Sequence, residues 1–261
     1  MSDLLLQSDV APGIVQLTLN RPAVRNALDA ALIDALAAAF AHHAARAATR
    51  VLLLAGAGPA FCAGADLGAM RALGRADEDT NRADARRLAL LLAAIRACPK
   101  PSIACVHGAA LGGGVGLAAA CDVALGADEA RFVLPEVRLG LVPAVISPYV
   151  LDAIGPRQAR RYFLSGESID APRAREIGLL HAVFAPAALM TAAIALACEI
   201  ARGGPAALGA AKALIDEVGG RVAAPRLAAR TADILAELRA GAEAQEGLAA
   251  AIERRPPAWN G

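Results

Sequence analysis

Apolar and polar residues alternate over Gly13-Ile14-Val15-Gln16-Leu17-Thr18-Leu19, which predicts a strand, and Asn20-Arg21-Pro22 stops it. Asp29 then stands where an N-cap belongs, ahead of an alanine-rich helix running to about Ala45. A continuous apolar run, Val51 to Ala55, predicts a buried strand, and Ile103 to Val106 predicts another. The first is followed by a glycine-rich loop, Gly56 to Ala65. Next comes a charged stretch, Arg71 to Arg87, carrying Asp77-Glu78-Asp79; it reads as a solvated loop and helix face, with a mobile lid over a ligand as the alternative. Leu88 to Ala97 predicts a helix ended by Pro99-Lys100-Pro101. After the second strand, Gly112-Gly113-Gly114 leads into an Ala/Leu-rich segment with the character of a buried helix. Cys121 to Leu125 and Ala130 to Val133 predict two further short strands. From Ser147 onward the pattern is mostly helical. Asp170 opens a short helix that Gly178 closes ahead of an apolar segment, Leu179 to Val183.

In the first half of the chain, short strands alternate with helices, the signature of an α/β fold. Periodicity alone is satisfied equally by a doubly wound sheet and by a coiled stack of strand–strand–helix turns. Gly203-Gly204-Pro205 is the clearest linker, so residues 1–202 are expected to form the core and 203–261 a helical extension, broken near Gly219-Gly220 and Ala240-Gly241. That extension is too small and too rich in alanine to fold alone, and is expected to pack on the core or on a neighbouring subunit.

Composition narrows the function classes. The chain is 57% apolar but only 3% aromatic, so its helices must pack closely through small side chains. Its formal net charge of +1 gives no reason to expect nucleic acid or an anionic membrane as a partner. Five irregularly spaced cysteines without a CxxC pair argue against a disulfide framework or a metal site and for a reducing compartment. The longest uncharged run, Ala182 to Cys198, contains Pro186 and is mostly alanine, which suits a packed amphipathic helix better than a membrane span. Met1 to Gln7 lacks the basic start and long apolar centre of a secretory leader. A cytoplasmic, non-membrane protein is the expectation.

The chemistry-bearing stretch is His107 to Asp122. A strand runs into three glycines that open a helix, whose first N–H groups lack intrahelical acceptors and whose dipole favours negative charge. Gly58-Pro59-Ala60-Phe61-Cys62-Ala63-Gly64-Ala65-Asp66-Leu67 follows a strand and precedes a helix in the same way. Two such turns aimed at one point form an oxyanion hole, suited to a thioester or ester carbonyl. The dinucleotide fingerprint is absent at Gly112, and the P-loop is absent throughout. Around these turns Asp66 reads as a helix cap, Asp122 as a structural acceptor, and His107 as a turn histidine. Cys62 reads as a small buried filler. His42 and His43, on an alanine-rich helix, read as solvated.

Several motifs occur here in the order and spacing of the enoyl-CoA hydratase/isomerase (crotonase) family. They are Phe61 to Leu67, His107-Gly108 through Gly114, Ala119-Ala120-Cys121-Asp122, and Leu134-Pro135-Glu136-Val137-Arg138-Leu139-Gly140-Leu141. Leu19-Asn20-Arg21-Pro22, Asn26-Ala27-Leu28 and the ending Glu253-Arg254-Arg255-Pro256-Pro257-Ala258-Trp259 are similar too, so the resemblance covers nearly the whole chain. It implies a right-handed spiral of ββα turns with a C-terminal helical region that assembles trimers, often paired into hexamers. It also implies an acyl-CoA thioester substrate whose oxygen is held by the backbone N–H groups of Ala65 and Gly113. Ala63, Gly64, Asp66 and Leu67 would lie near the CoA adenine. Gly112, Gly116, Ser147 and Tyr149 would line the acyl side, and Arg25 and Lys212 are candidates for the CoA phosphates. No cofactor beyond the CoA of the substrate, and no metal, is implied.

Hydratases of this family typically use two glutamates. The position matching the first is Gly116, and the second is present as Glu136. Pro143-Ala144-Val145-Ile146-Ser147-Pro148-Tyr149 also departs from the run that many hydratases carry. The glycine and Glu136 motifs together resemble the bacterial methylglutaconyl-CoA hydratase-like branch, whose substrate carries a second carboxylate. The resemblance therefore implies a lyase that adds water reversibly across the 2,3 double bond of an enoyl-CoA, with Glu136 moving the proton. The alternatives are a Δ3,Δ2-enoyl-CoA isomerase using the same glutamate, and a non-catalytic acyl-CoA-binding oligomer.

Overall fold

The computed structural model describes residues 4–73, 75–219, 234–235, 241–253 and 255–260, without the side chains of residues 67, 251 and 260. The alternating segment is β2 (Ile14–Leu19), paired antiparallel with β1 (Leu5–Ala11), a strand that the polar residues of its exposed face hide in the sequence. The two apolar runs are β3 (Val51–Gly56) and β4 (Ser102–Val106). With β6 (Val123–Ala127) and β9 (Ala182–Phe184) they make a six-stranded sheet in the order β1-β2-β3-β4-β6-β9, parallel from β2 onward.

This sheet is buried on both faces, which explains why β3 and β4 read as unbroken apolar runs. Successive side chains point to opposite faces. Leu17, Leu52, Leu54, Ala104 and Val106 belong to the larger core. That core lies under α1 (Ala30–Ala45), α3 (Glu78–Ala97) and α4 (Gly113–Ala120). Ile14, Val51, Leu53, Ile103 and Cys105 face the other way, onto α7 (Pro186–Ala201). Helix α7 buries Leu189, Ala193 and Ala197, four residues apart along one stripe. It takes up most of the uncharged run of the sequence and continues past it through Glu199, and no single helix among the described residues is long and apolar enough to cross a membrane.

Caps follow the sequence. Asp29 accepts from the Leu32 N–H at the start of α1, and Asp170 accepts from the Arg173 N–H at the start of α6 (Ala171–Glu176). The charged stretch is helical: α2 (Leu67–Leu73) precedes α3, whose first turn is capped by Asp77, so α3 begins well before Leu88. The strand expected at Cys121 starts later, at Val123, because Cys121 caps the end of α4. Helix α5 (Ser147–Ser165) bends at Gly155-Pro156, where the glycine takes φ 71°.

His43 corrects an expectation. It is 2% exposed rather than solvated, and its ring nitrogens bond the Thr49 hydroxyl and the Gln7 side-chain oxygen, both at 2.9 Å. Burial holds its pKa below the usual histidine value, reinforced by the neighbouring charges of His42 and Arg46. The partner Gln7 comes from β1, the strand hidden in the sequence.

Helix α8 (Pro205–Val218) follows α7 across Gly203-Gly204, and α9 (Ala242–Glu253) returns to cap it, Glu243 accepting from the Ala206 and Ala207 N–H groups. The expected breaks at Gly220 and Ala240 lie outside the described residues. The end of the chain is tied to the core through Arg50, which donates to the Ala201, Gly203 and Trp259 carbonyls.

Lys212 of α8 is not available as a free phosphate ligand. Its ammonium lies 2.6 Å from Asp122, which also accepts from the Ser102 N–H at 2.7 Å and hydroxyl at 2.9 Å. Asp122 is thus the structural acceptor that its sequence context suggests. Asp122→Ala strands three donors, and is expected to lower stability by about 2–3 kcal/mol. A denaturant melt checks this; an unshifted midpoint would show that Asp122 holds nothing.

Candidate active site

A second, small sheet builds the site. β5 (Ala109–Leu111) pairs in parallel with β7 (Arg131–Val133), which pairs antiparallel with β8 (Ile169–Asp170). On the other side of β5, Cys62 forms a parallel bridge with Ala110: the Cys62 N–H donates to the Ala109 carbonyl and the Leu111 N–H to the Cys62 carbonyl. Three parallel segments therefore end together. Cys62 runs into Ala63-Gly64-Ala65, Leu111 into Gly112-Gly113, and Val133 into Leu134-Pro135-Glu136. The Gly112 N–H donates to the Val133 carbonyl at 2.8 Å, fixing the last two side by side.

Each glycine of Gly112-Gly113-Gly114-Val115-Gly116 meets a different neighbour. A Cβ at Gly112 would sit 2.8 Å from Glu136 Oε1. One at Gly114 would lie 2.4 Å from the Cys62 carbonyl oxygen, so the first turn of α4 rests directly on the Cys62 segment. One at Gly116 would lie 2.2 Å from Ile146 Cγ2. Gly113 is half-buried, with the Leu28 and Leu88 side chains beside it.

Gly64 and Gly113 are adjacent: the Gly113 nitrogen is 3.5 Å from where a Gly64 Cβ would be. The Leu28 N–H donates to the Gly64 carbonyl and the Asp66 N–H to the Leu28 carbonyl, which leaves the intervening Ala65 N–H outside the bridge. Neither the Ala65 nor the Gly113 N–H has an acceptor among the described residues. Ala65 is exposed. Two unused donors on neighbouring turns, one of them at a helix start, are equipped to hold an oxyanion.

Glu136 opens a 3-10 turn, Glu136–Leu139, at the end of β7. It is half-buried, and its Oε2 is buried without a hydrogen-bond partner. Desolvation raises its pKa above the usual carboxylate value, against a smaller opposing effect of its own backbone N–H. A raised pKa suits a carboxyl to both taking and giving a proton.

The other residues named from the sequence fall as follows. Asp66 caps α2, accepting from the Gly68 and Ala69 N–H groups, and lies 3.7 Å from Arg21. Leu67 is the first residue of α2. Ala63 donates its N–H to the carbonyl of Arg25, whose own side chain is exposed. His107 bonds the Gly58 carbonyl, as a turn histidine does. Cys62 is fully buried, its thiol pushed up to about 12 by desolvation, which leaves it inert. The Ser147 hydroxyl donates to the Ala144 carbonyl, and the Tyr149 ring lies 6.0 Å from the Arg96 guanidinium. Among the described residues no three His, Cys, Asp or Glu side chains cluster as metal ligands.

Two residues that shape the site escape sequence reasoning. Asn26 is fully buried in the left-handed region, φ 56°. Its amide donates to the Ala57, Ala60 and Phe61 carbonyls, and its own carbonyl accepts from the Cys62 thiol. Arg21 reaches Asp29 at 3.0 Å as well as Asp66. Together they brace the loop that presents Ala65. Asparagine tolerates positive φ, and that preference is the one local signal for its role.

Comparison with known proteins shows the family. The family model described as enoyl-CoA hydratase/isomerase matches residues 9–261. The chain is 36% identical to the 2,3-dehydroadipyl-CoA hydratase of Escherichia coli K12 over the full length of both. Among solved structures it resembles an enoyl-CoA hydratase from Shewanella pealeana, with a TM-score of 0.94 at 37% identity, covering 98% of this chain and 96% of that one. It also resembles an enoyl-CoA hydratase from Mycobacterium smegmatis, with a TM-score of 0.92 at 34% identity, covering 99% of each. Matched by that family model over nearly its whole length and sharing the crotonase-like α/β fold, this chain belongs to the enoyl-CoA hydratase/isomerase family of enzymes.

Proposed function

We propose that this chain adds water reversibly across the 2,3 double bond of an enoyl-CoA thioester, with Glu136 as the proton-transfer residue and the Ala65 and Gly113 N–H groups as the oxyanion hole. The observation that carries this reading is the Glu136 carboxyl over Gly112, its buried Oε2 without a partner, next to the free Gly113 N–H. Glu136 takes a proton from water as the water oxygen bonds to C3. The C2–C3 electron pair moves toward the thioester oxygen, where the two N–H groups hold the enolate. Glu136 then gives the proton to C2, and is regenerated. CoA enters as part of the substrate, and no further cofactor takes part.

A branched or carboxylated acyl group of the methylglutaconyl type fits the sequence resemblance, and the hydratase of E. coli named for a dehydroadipyl thioester supports a carboxylated one. Assembly as a trimer or hexamer is part of the same reading; the exposed Leu139, Leu141 and Val142, just beyond Glu136, support it.

A second reading, the isomerase, is favoured by one observation: Gly116 has no carboxylate, and Ile146 lies over it. In that case Glu136 removes a proton from C2 of a 3-enoyl thioester and returns it to C4. Crotonyl-CoA and, more slowly, the C3-branched 3-methylglutaconyl-CoA are expected to lose their enoyl-thioester absorbance with uptake of labelled solvent oxygen. Formation of that absorbance from a 3-enoyl-CoA, with neither 2-enoyl thioester hydrated, would replace the first reading with the second.

A further inference from the structure

Gly112 is the N-cap of α4, and Gly116 lies one turn into the helix. The Glu136 carboxyl covers the first and the Ile146 side chain the second. Leu92 Cδ1 stands 3.6 Å from the Cβ place of Gly116, on the side of α3, and Ile146 is 3% exposed. The start of α4 therefore meets a carboxyl at its N-cap and aliphatic carbon one turn on. Glycine at 116 and isoleucine at 146 are interlocked, because the methyl of one would occupy the space of the other.

On the acyl-CoA reading, an acyl group with its carbonyl oxygen on the Gly113 N–H and its C2 near Glu136 would extend along α4. One helical turn rises about 5.4 Å, roughly the reach from a carbonyl oxygen to a substituent on C3. The side chain packed at that height of the helix is Ile146. We infer that Ile146 is a specificity-determining residue, which through its interlock with Gly116 limits the bulk accepted at C3 of the acyl chain. The inference rests on the acyl-CoA reading of the site, but not on which reaction follows.

Equilibrium binding of butyryl-CoA and of its C3-methyl homologue, isovaleryl-CoA, tests it without requiring turnover. Wild type, Ile146→Ala, Gly116→Ala and the double variant are compared, with thermal midpoints measured alongside. Ile146→Ala is expected to shift the affinity ratio by about tenfold toward isovaleryl-CoA, the discrimination that one methyl group commands in an apolar pocket. Gly116→Ala alone is expected to lower the thermal midpoint, since its Cβ would meet Ile146 Cγ2 at 2.2 Å. In the double variant the added methyl refills the vacated space, so the ratio returns toward wild type, and the second substitution costs less than it does alone. An unchanged ratio in Ile146→Ala, or strictly additive midpoints, would overturn the assignment. Failure of every variant to bind either thioester would overturn the acyl-CoA reading itself.

Discussion

Glu136→Gln is expected to lower kcat by about 10²- to 10⁴-fold, the contribution typical of a positioned acid–base group. The substitution keeps the side chain's size and place over Gly112 and removes only its capacity to take a proton. The wild-type pH profile should carry the same signature. Burial lifts the Glu136 pKa above its ordinary value of 4.5, so the acidic limb of kcat/KM should lie above that value and vanish in the variant. Stability should move the other way. A carboxyl whose pKa is raised by folding binds its proton more tightly in the folded state, so the protein loses stability as pH climbs from 4.5 through the raised value. The glutamine variant is spared that loss, and near neutral pH should melt at or above the wild-type temperature. Unchanged turnover would remove Glu136 from the mechanism, whichever reaction the enzyme performs.

Gly64→Ala is expected to cost about 10²- to 10³-fold in kcat, the usual consequence of losing one oxyanion donor. Gly64 sits at φ 82°, a conformation that L side chains rarely adopt, and a Cβ there would lie 2.6 Å from the Leu111 carbonyl oxygen. Relief requires the Gly64-Ala65 segment to move away from β5, and the Ala65 N–H moves with it. Because the donors matter most when charge has built up on the thioester oxygen, kcat should fall more than the affinity for a saturated acyl-CoA weakens. Steady-state kinetics and calorimetric binding on the same preparation separate the two. Wild-type kcat in a folded variant would show that this turn does not hold the oxyanion.

Much of the site was legible before any coordinate. Glycines at 64 and 112–114 marked turns where another group can approach the backbone closely, and a glutamate after Leu134-Pro135 marked a candidate acid–base group. The resemblance placed Ala65, Gly113 and Glu136 as a set. What stayed hidden lay in elements too short to carry a period. β5 has three residues and does not announce itself as a strand; β7 is legible as the apolar run Ala130 to Val133, but its pairing with β5, which puts Glu136 over Gly112, is not. Asn26 looked like part of a loop motif, and its three amide bonds to distant carbonyls have no sequence signature. His43 looked solvated because alanine neighbours give no contrast between the faces of α1. Its burial depends on Gln7 and Thr49 arriving from elsewhere.

The sequence by itself determined where the backbone can be regular and where it must turn. Alternation, apolar runs, aspartate caps and glycines act through local sterics and solvation, which operate between near neighbours. Tertiary structure alone decided which turns face one another, and with what between them. That Ile146 fills the place above Gly116, and that the Ala65 and Gly113 N–H groups both remain without an acceptor, follows from packing among segments far apart along the chain. Close packing leaves no room for a side chain at Gly116 while Ile146 is present, a constraint that residue-by-residue patterning does not register.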